Sequence, residues 1–161
     1  AMIAGKTAAL SAAACAIGAI AGGADDATAA AFRECGRRLG LAFQIQDDVL
    51  GVWGEVSRTG KPVADDVRSR KKSFPVMHAV ATLDAARRDE LLRLYAGDTM
   101  SERDVESVIA LLGAAGARAA GTAAARGHAA AAIEALRPLP IDDERRRDLE
   151  AIAGYFVSRQ A

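Results

Sequence analysis

The chain predicts an all-α protein on three counts. Alanine, the residue with the lowest cost in a helix, supplies 39 of the 161 residues. Apolar side chains recur at three- and four-residue intervals, whereas β-branched runs alternating with polar residues are missing. Prolines and paired glycines fall at a few separated places and cut the chain into helix-length segments.

The first helix covers residues 2 to about 21 and stops at Gly22-Gly23. Asp25 and Asp26 suit the start of a second, long helix, because a carboxylate there accepts orphan N–H groups and meets the positive end of the dipole. That helix runs to about Trp53. Gly36 and Gly40 inside it cost roughly 1 kcal/mol each relative to alanine on an exposed face, which predicts another helix or a ligand packed against them. Residues 55–71 form a charged loop broken by Gly60 and Pro62. A third helix begins near Lys72, accepts Pro75 in its first turn and ends near Leu83. Asp84 or Asp89 opens a short segment through Leu91, Leu92, Leu94 and Tyr95. Ser101 with Asp104 gives a capping start for residues 102–113. The next helix spans about 115–136 and ends at Pro138 and Pro140. Asp142-Asp143 opens the last one, with Leu149, Ile152, Tyr155 and Phe156 at core spacing. No linker is long enough to divide two domains, so residues 1–161 are expected to form a single all-helical unit.

Composition excludes several classes. Lys and Arg number 21 and Asp and Glu 21, so no global field favours nucleic acid. The bases gather at residues 68–72 and at Arg145-Arg146-Arg147, and the second group is interleaved with acids as a solvated helix face. Cys15 and Cys35 follow no disulfide pattern and read as buried thiols in a reducing compartment. No His/Cys grouping has zinc-site spacing, and no nucleophile elbow is present. His78 and His128 read as structural. The start of the chain lacks a basic n-region, and the apolar run 8–21 is too short for a transmembrane span, so the cytoplasm is the expected location.

The chemistry is concentrated in residues 41–50, where Asp47 and Asp48 sit with Gln44 and Gln46 inside an apolar helical run. Charged side chains are rarely buried without a partner. Mg²⁺ is the economical partner, since it takes one or two carboxylates and completes its shell with water and phosphate. The following polar segment adds Thr59-Gly60-Lys61, the pair Asp65-Asp66, and Arg68, Arg70, Lys71 and Lys72. Carboxylates for a metal beside cations for phosphate are what a diphosphate–Mg²⁺ complex requires. Gly5-Lys6-Thr7 adds an ammonium and a hydroxyl but lacks the earlier glycine and the preceding strand of a P-loop.

Together these motifs resemble the C-terminal half of the trans-polyprenyl diphosphate synthases, which make farnesyl and geranylgeranyl diphosphate. The family's second aspartate-rich motif, Phe-Gln-x-x-Asp-Asp-x-x-Asp, is matched by FQIQDDVLG at residues 43–51. Its earlier Lys-Thr pair is matched by Lys6-Thr7, its Thr-Gly-Lys element by residues 59–61, and its Asp-x-x-x-x-Lys by Asp66 and Lys71. Two departures stand out. Gly51 replaces the last aspartate of the motif, and the family's first aspartate-rich motif is absent, with only five residues before Lys6.

The resemblance implies the isoprenoid synthase helical bundle and Mg²⁺-dependent head-to-tail condensation of an allylic diphosphate with isopentenyl diphosphate. Asp47, Asp48 and Asp66 would hold Mg²⁺, with Asp65 as the alternative to Asp66. Lys6, Lys61 and Lys71 would contact the diphosphate. Thr7 and Gln44 would turn oxygen dipoles toward the developing carbocation, Gln44 also lying by the diphosphate, and Phe43 would line the apolar pocket. The missing first motif implies that activity needs the N-terminal half of a longer synthase, and that the isolated chain is inactive. A homodimer is expected from the resemblance. The alternatives are a non-catalytic regulatory partner subunit and a class I terpene cyclase of the same fold.

Overall fold

The computed structural model describes residues 7–54 and 64–158, and every regular element among them is a helix. In chain order these are α1 (Ala9–Ala21), α2 (Asp26–Trp53), α3 (Asp65–Arg68), α4 (Phe74–Thr82), α5 (Ala85–Ala96), α6 (Glu102–Ala114), α7 (Ala117–Ala135) and α8 (Asp143–Ser158). They form two compact units. The first takes the described residues up to Gln46 and those from Ala124 onward, and the second takes the described residues between Asp47 and Ala123.

Local chemistry sets the helix starts. The Asp25 carboxylate accepts from Thr28 N–H at 2.8 Å, Asp84 from Arg87 N–H at 2.9 Å, and Asp142 from Arg145 N–H at 2.9 Å. Ser101 and Asp104 form the reciprocal capping box the sequence predicts. Of the two candidates for opening α5, Asp84 is the cap. The charged segment departs from a simple loop, because Asp65-Asp66 open the single turn α3; residues 55–63 lie outside the described part. The next helix starts at Phe74 rather than Lys72, with Ser73 extended at its N-cap.

The first unit packs Cys35, Leu39 and Ala42 of α2 against Ala129, Ala132, Leu136 and Ala153, with Phe32, Leu149 and Phe156 closing over them. Thin side chains dominate here, so the helices approach closely. A Cβ on Gly40 would stand 2.7 Å from Ala8 Cα, and one on Gly36 would stand 2.7 Å from Cys15 Sγ. Backbone therefore packs where those glycines are, as their presence in a helix predicts. The last helix keeps two of its four expected core residues, Leu149 and Phe156, and turns the other two outward. Ile152 is 48% and Tyr155 66% exposed, and Ala153 at 3% is the residue that turns inward. The packed stripe is Leu149, Ala153 and Phe156, at i, i+4 and i+7, with the smallest residue at its centre.

The second unit is built from larger side chains: Val52, Val67, Val76, Leu91, Leu94, Val105, Val108, Leu111 and Leu112. The cysteines are free, Cys35 buried and Cys15 half-buried. No single described helix is long and apolar enough to cross a membrane.

Candidate functional site

Asp47 and Asp48 are consecutive on α2, so their side chains leave the helix about 100° apart. That rotation separates their environments. Asp48 is 1% exposed, and Asp47 is half-buried with no ion-pair partner among the described residues. Both oxygens of Asp48 are engaged: Oδ2 accepts from Phe74 N–H at 2.8 Å and Oδ1 lies 3.0 Å from Lys71 Nζ. Phe74 opens α4, whose N-cap Ser73 contributes no side-chain cap. The first N–H groups of a helix have no partner within it. Asp48 supplies one from a different helix, where the dipole also favours a negative charge.

The second carboxylate comes from α3. Asp66 is 7% exposed, and its Oδ2 accepts from Lys71 Nζ at 2.7 Å. Lys71 thus bridges Asp48 and Asp66. Burial works against the Lys71 ammonium, yet the hydrogen bonds to Asp66 and Asp48 outweigh it and its pKa is raised. The turn that makes this possible is strained at both ends, with left-handed backbone at Ala64 (φ 61°) and Arg70 (φ 52°). It is closed by Lys71 N–H donating to Asp66 O at 2.9 Å. Arg68 ties the turn to α6 through a two-pronged contact with Glu102, at 3.1 and 2.6 Å.

Three features of this cluster were not foreseen. The Phe74 N–H is one; its only sequence signal is a Ser-Phe-Pro helix start directly after Lys71-Lys72. Tyr95 is another. Its hydroxyl is buried with no hydrogen-bond partner among the described residues, and burial together with the charge of Asp66 pushes its pKa up. The third is the space above Gly51, where a Cβ would overlap the Asp66 carboxyl and stand 3.0 Å from Asp66 Cβ.

In the first unit the Thr7 hydroxyl donates to Gln44 Oε1 at 2.8 Å, joining two of the predicted site residues. Phe43 packs edge-on against Phe156, ring centroids 5.6 Å apart. Lys6 and Lys61 lie outside the described residues. His78 has structural partners, with Nε2 3.2 Å from Ala115 O and the ring stacked on Phe74; His128 lies 3.4 Å from Arg38.

The donor chemistry suits a hard cation sparsely held. Among the described residues no three His, Cys, Asp or Glu side chains are grouped to cage a metal. Mg²⁺ does not need such a cage, since one or two carboxylates suffice when phosphate and water supply the rest. Asp47 meets that requirement, while Asp48 and Asp66 hold Lys71.

Fold and site together define an all-helical protein with an acidic, lysine-bridged cluster at the end of a long helix. Known proteins are similar to it in sequence and fold. The polyprenyl synthetase family profile matches residues 1–112. The (2E,6E)-farnesyl diphosphate synthase of Mycobacterium tuberculosis (strain ATCC 25618 / H37Rv) is 40% identical over 163 residues, 99% of this chain and 45% of that protein. The crystal structure of polyprenyl synthetase from Streptomyces coelicolor A3(2) superposes with a TM-score of 0.88 at 39% identity, over 96% of this chain and 48% of that one. The geranylgeranyl pyrophosphate synthase of Corynebacterium glutamicum, crystallised in complex with isoprenyl diphosphate and magnesium, gives a TM-score of 0.78 at 27% identity, over 89% of this chain and 41% of that one. The chain belongs to the polyprenyl synthetase family. It spans about half the length of the relatives it matches.

Proposed function

We propose that this chain provides the magnesium-binding wall of a prenyl diphosphate synthase that joins an allylic diphosphate to isopentenyl diphosphate. The carbon–oxygen bond of the allylic diphosphate breaks and the diphosphate leaves. The double bond of isopentenyl diphosphate attacks the carbocation, and loss of a proton completes a longer prenyl diphosphate. Mg²⁺, when bound, neutralises charge building on the leaving diphosphate. Asp47 is the residue to hold it. Asp48 anchors the wall by capping α4 and fixing Lys71, and Asp66 holds Lys71 from the other side. Lys6 and Lys61 are assigned to the diphosphate by the family motif. Thr7 orients Gln44 through their hydrogen bond, and Phe43 is assigned to the apolar pocket. Fixed charges and dipoles of this kind lower a barrier because they need no reorganisation during the reaction.

One observation carries the reading. Of the two adjacent aspartates, Asp48 has both oxygens engaged and Asp47 has no ion-pair partner among the described residues, which supports assigning Asp47 to a ligand. A complementary acidic wall, the family's first aspartate-rich motif, belongs to this proposal as the contribution of an N-terminal half. A homodimer belongs to it as well, because α1 leaves Leu10, Ile17 and Ile20 exposed at 74%, 65% and 57%.

The test incubates the intact protein with farnesyl diphosphate, labelled isopentenyl diphosphate and Mg²⁺. Label in a longer diphosphate supports the proposal. Release of a hydrocarbon would identify a terpene cyclase instead, and binding without turnover a regulatory subunit.

A further inference from the structure

Position 51 is where this chain departs from the family's second aspartate-rich motif, and the structure shows what occupies the vacated space. A Cβ at Gly51 would overlap the Asp66 carboxyl group, and even the Asp66 Cβ would be only 3.0 Å away. Real Cβ atoms do not tolerate such separations, so a side chain at 51 and Asp66 in its present seat exclude one another. The Asp66 carboxyl would have to leave its seat, whereas the Cβ contact asks for a shift of only a few tenths of an ångström. That smaller shift falls on the α3 backbone. That turn is held between two left-handed residues, Ala64 and Arg70, and tied to α6 by Arg68 and Glu102.

We infer that Gly51 is a positioning residue: by having no side chain it seats Asp66 against α2 and so sets the Asp48–Lys71–Asp66 bridge. The consequence runs through Lys71. Its ammonium is 2.7 Å from Asp66 and 3.0 Å from Asp48, so displacing Asp66 frees Lys71 from one side and pulls on the other. Asp48 in turn caps α4 through Phe74 N–H and neighbours Asp47 on α2. In this chain the space over position 51 is taken by the acid delivered from α3, which Lys71 bridges to Asp48. The functional side of this inference rests on the diphosphate reading; the packing side does not.

The test compares Gly51→Ala, Asp66→Ala and the double variant in the intact protein, by thermal melting with and without Mg²⁺ plus inorganic pyrophosphate. Gly51→Ala should lower the melting temperature in the Asp66 background and have little effect once Asp66 is Ala, because the obstructing carboxyl is then gone. Gly51→Ala should also raise the Mg²⁺ concentration for half-maximal stabilisation with pyrophosphate about tenfold, the scale on which groups supporting a metal ligand act. The double variant should recover in melting but not in its response to Mg²⁺. Independent, additive melting shifts at the two positions would overturn the inference, as would an unchanged Mg²⁺ response in Gly51→Ala. An unmodified protein that Mg²⁺ and pyrophosphate fail to stabilise would count against the diphosphate reading, while the additivity of the melting shifts still decides the packing claim.

Discussion

Asp47 and Asp48 carry the same chemistry and are covalent neighbours, yet one is half-buried and the other is 1% exposed with both oxygens taken. Their substitutions should therefore fail in different ways. Asp47→Ala should leave the melting temperature near that of the parent and cut turnover by about 100-fold, the loss typical of removing one preorganised charge-stabilising group. Asp48→Ala should instead destabilise by about 2 kcal/mol, because it orphans the Phe74 N–H and removes one of two partners from Lys71. Denaturant unfolding beside steady-state kinetics separates the two. The motif marks both as candidate site residues, and the difference in their surroundings was invisible because it depends on which way each faces. Lys71 is similar: the family pattern assigns it to the diphosphate, and the fold engages it with two carboxylates first. Glu34 offers a pH test in the first unit. Its hydrogen bond to Arg37, helped by Arg38 and opposed by burial, lowers its pKa from an ordinary 4.5 to about 2. A depressed carboxylate stabilises the fold above its unfolded pKa. That contribution is lost as pH falls from about 4.5 to about 2, so acid unfolding over this window should be shallower in Glu34→Gln.

Helix boundaries were legible wherever a cap lies beside the helix it serves. Asp25, Asp84, the Ser101–Asp104 box and Asp142 all bond donors three residues ahead, a relation contained in the sequence. Boundaries that depend on distant partners were not. α3 forms where a loop is predicted, and its Asp66 finds its cation five positions later only because the turn folds back. In α8, Leu149 and Phe156 take the inward places expected of them, but alanine at 153 carries too weak a hydrophobic signal to displace Ile152 and Tyr155 from the expected stripe. The glycines of α2 show the opposite case, in which a local cost pointed correctly to a close neighbour. Gly40→Ala gains about 1 kcal/mol of helix propensity, but its Cβ would stand 2.7 Å from Ala8 Cα. Overpacking costs of about 1–3 kcal/mol should win, so the variant should melt below the parent.

The two units have cores of different character. In the second, Leu91 and Leu112 are each 0% exposed among valines and other leucines. Leu112→Ala should cost about 3 kcal/mol through lost burial and the cavity left behind, measurable by chemical denaturation. In the first, Ala42, Ala129, Ala132 and Ala153 take core positions and contribute little area each. Native-state amide exchange should accordingly show α1 and α8 opening at lower free energy than α6.

Helix content, the order of the helices, most of their caps and the donor chemistry of the aspartate-rich motif could all be read without coordinates. Those properties arise between residues a few positions apart, where backbone geometry leaves little choice. Packing decided which adjacent aspartate is buried, which cation Asp48 and Asp66 meet and which group fills the space over Gly51. Asp48 and Phe74 are 26 positions apart, and nothing in the local chain relates them until side-chain volumes bring their helices together.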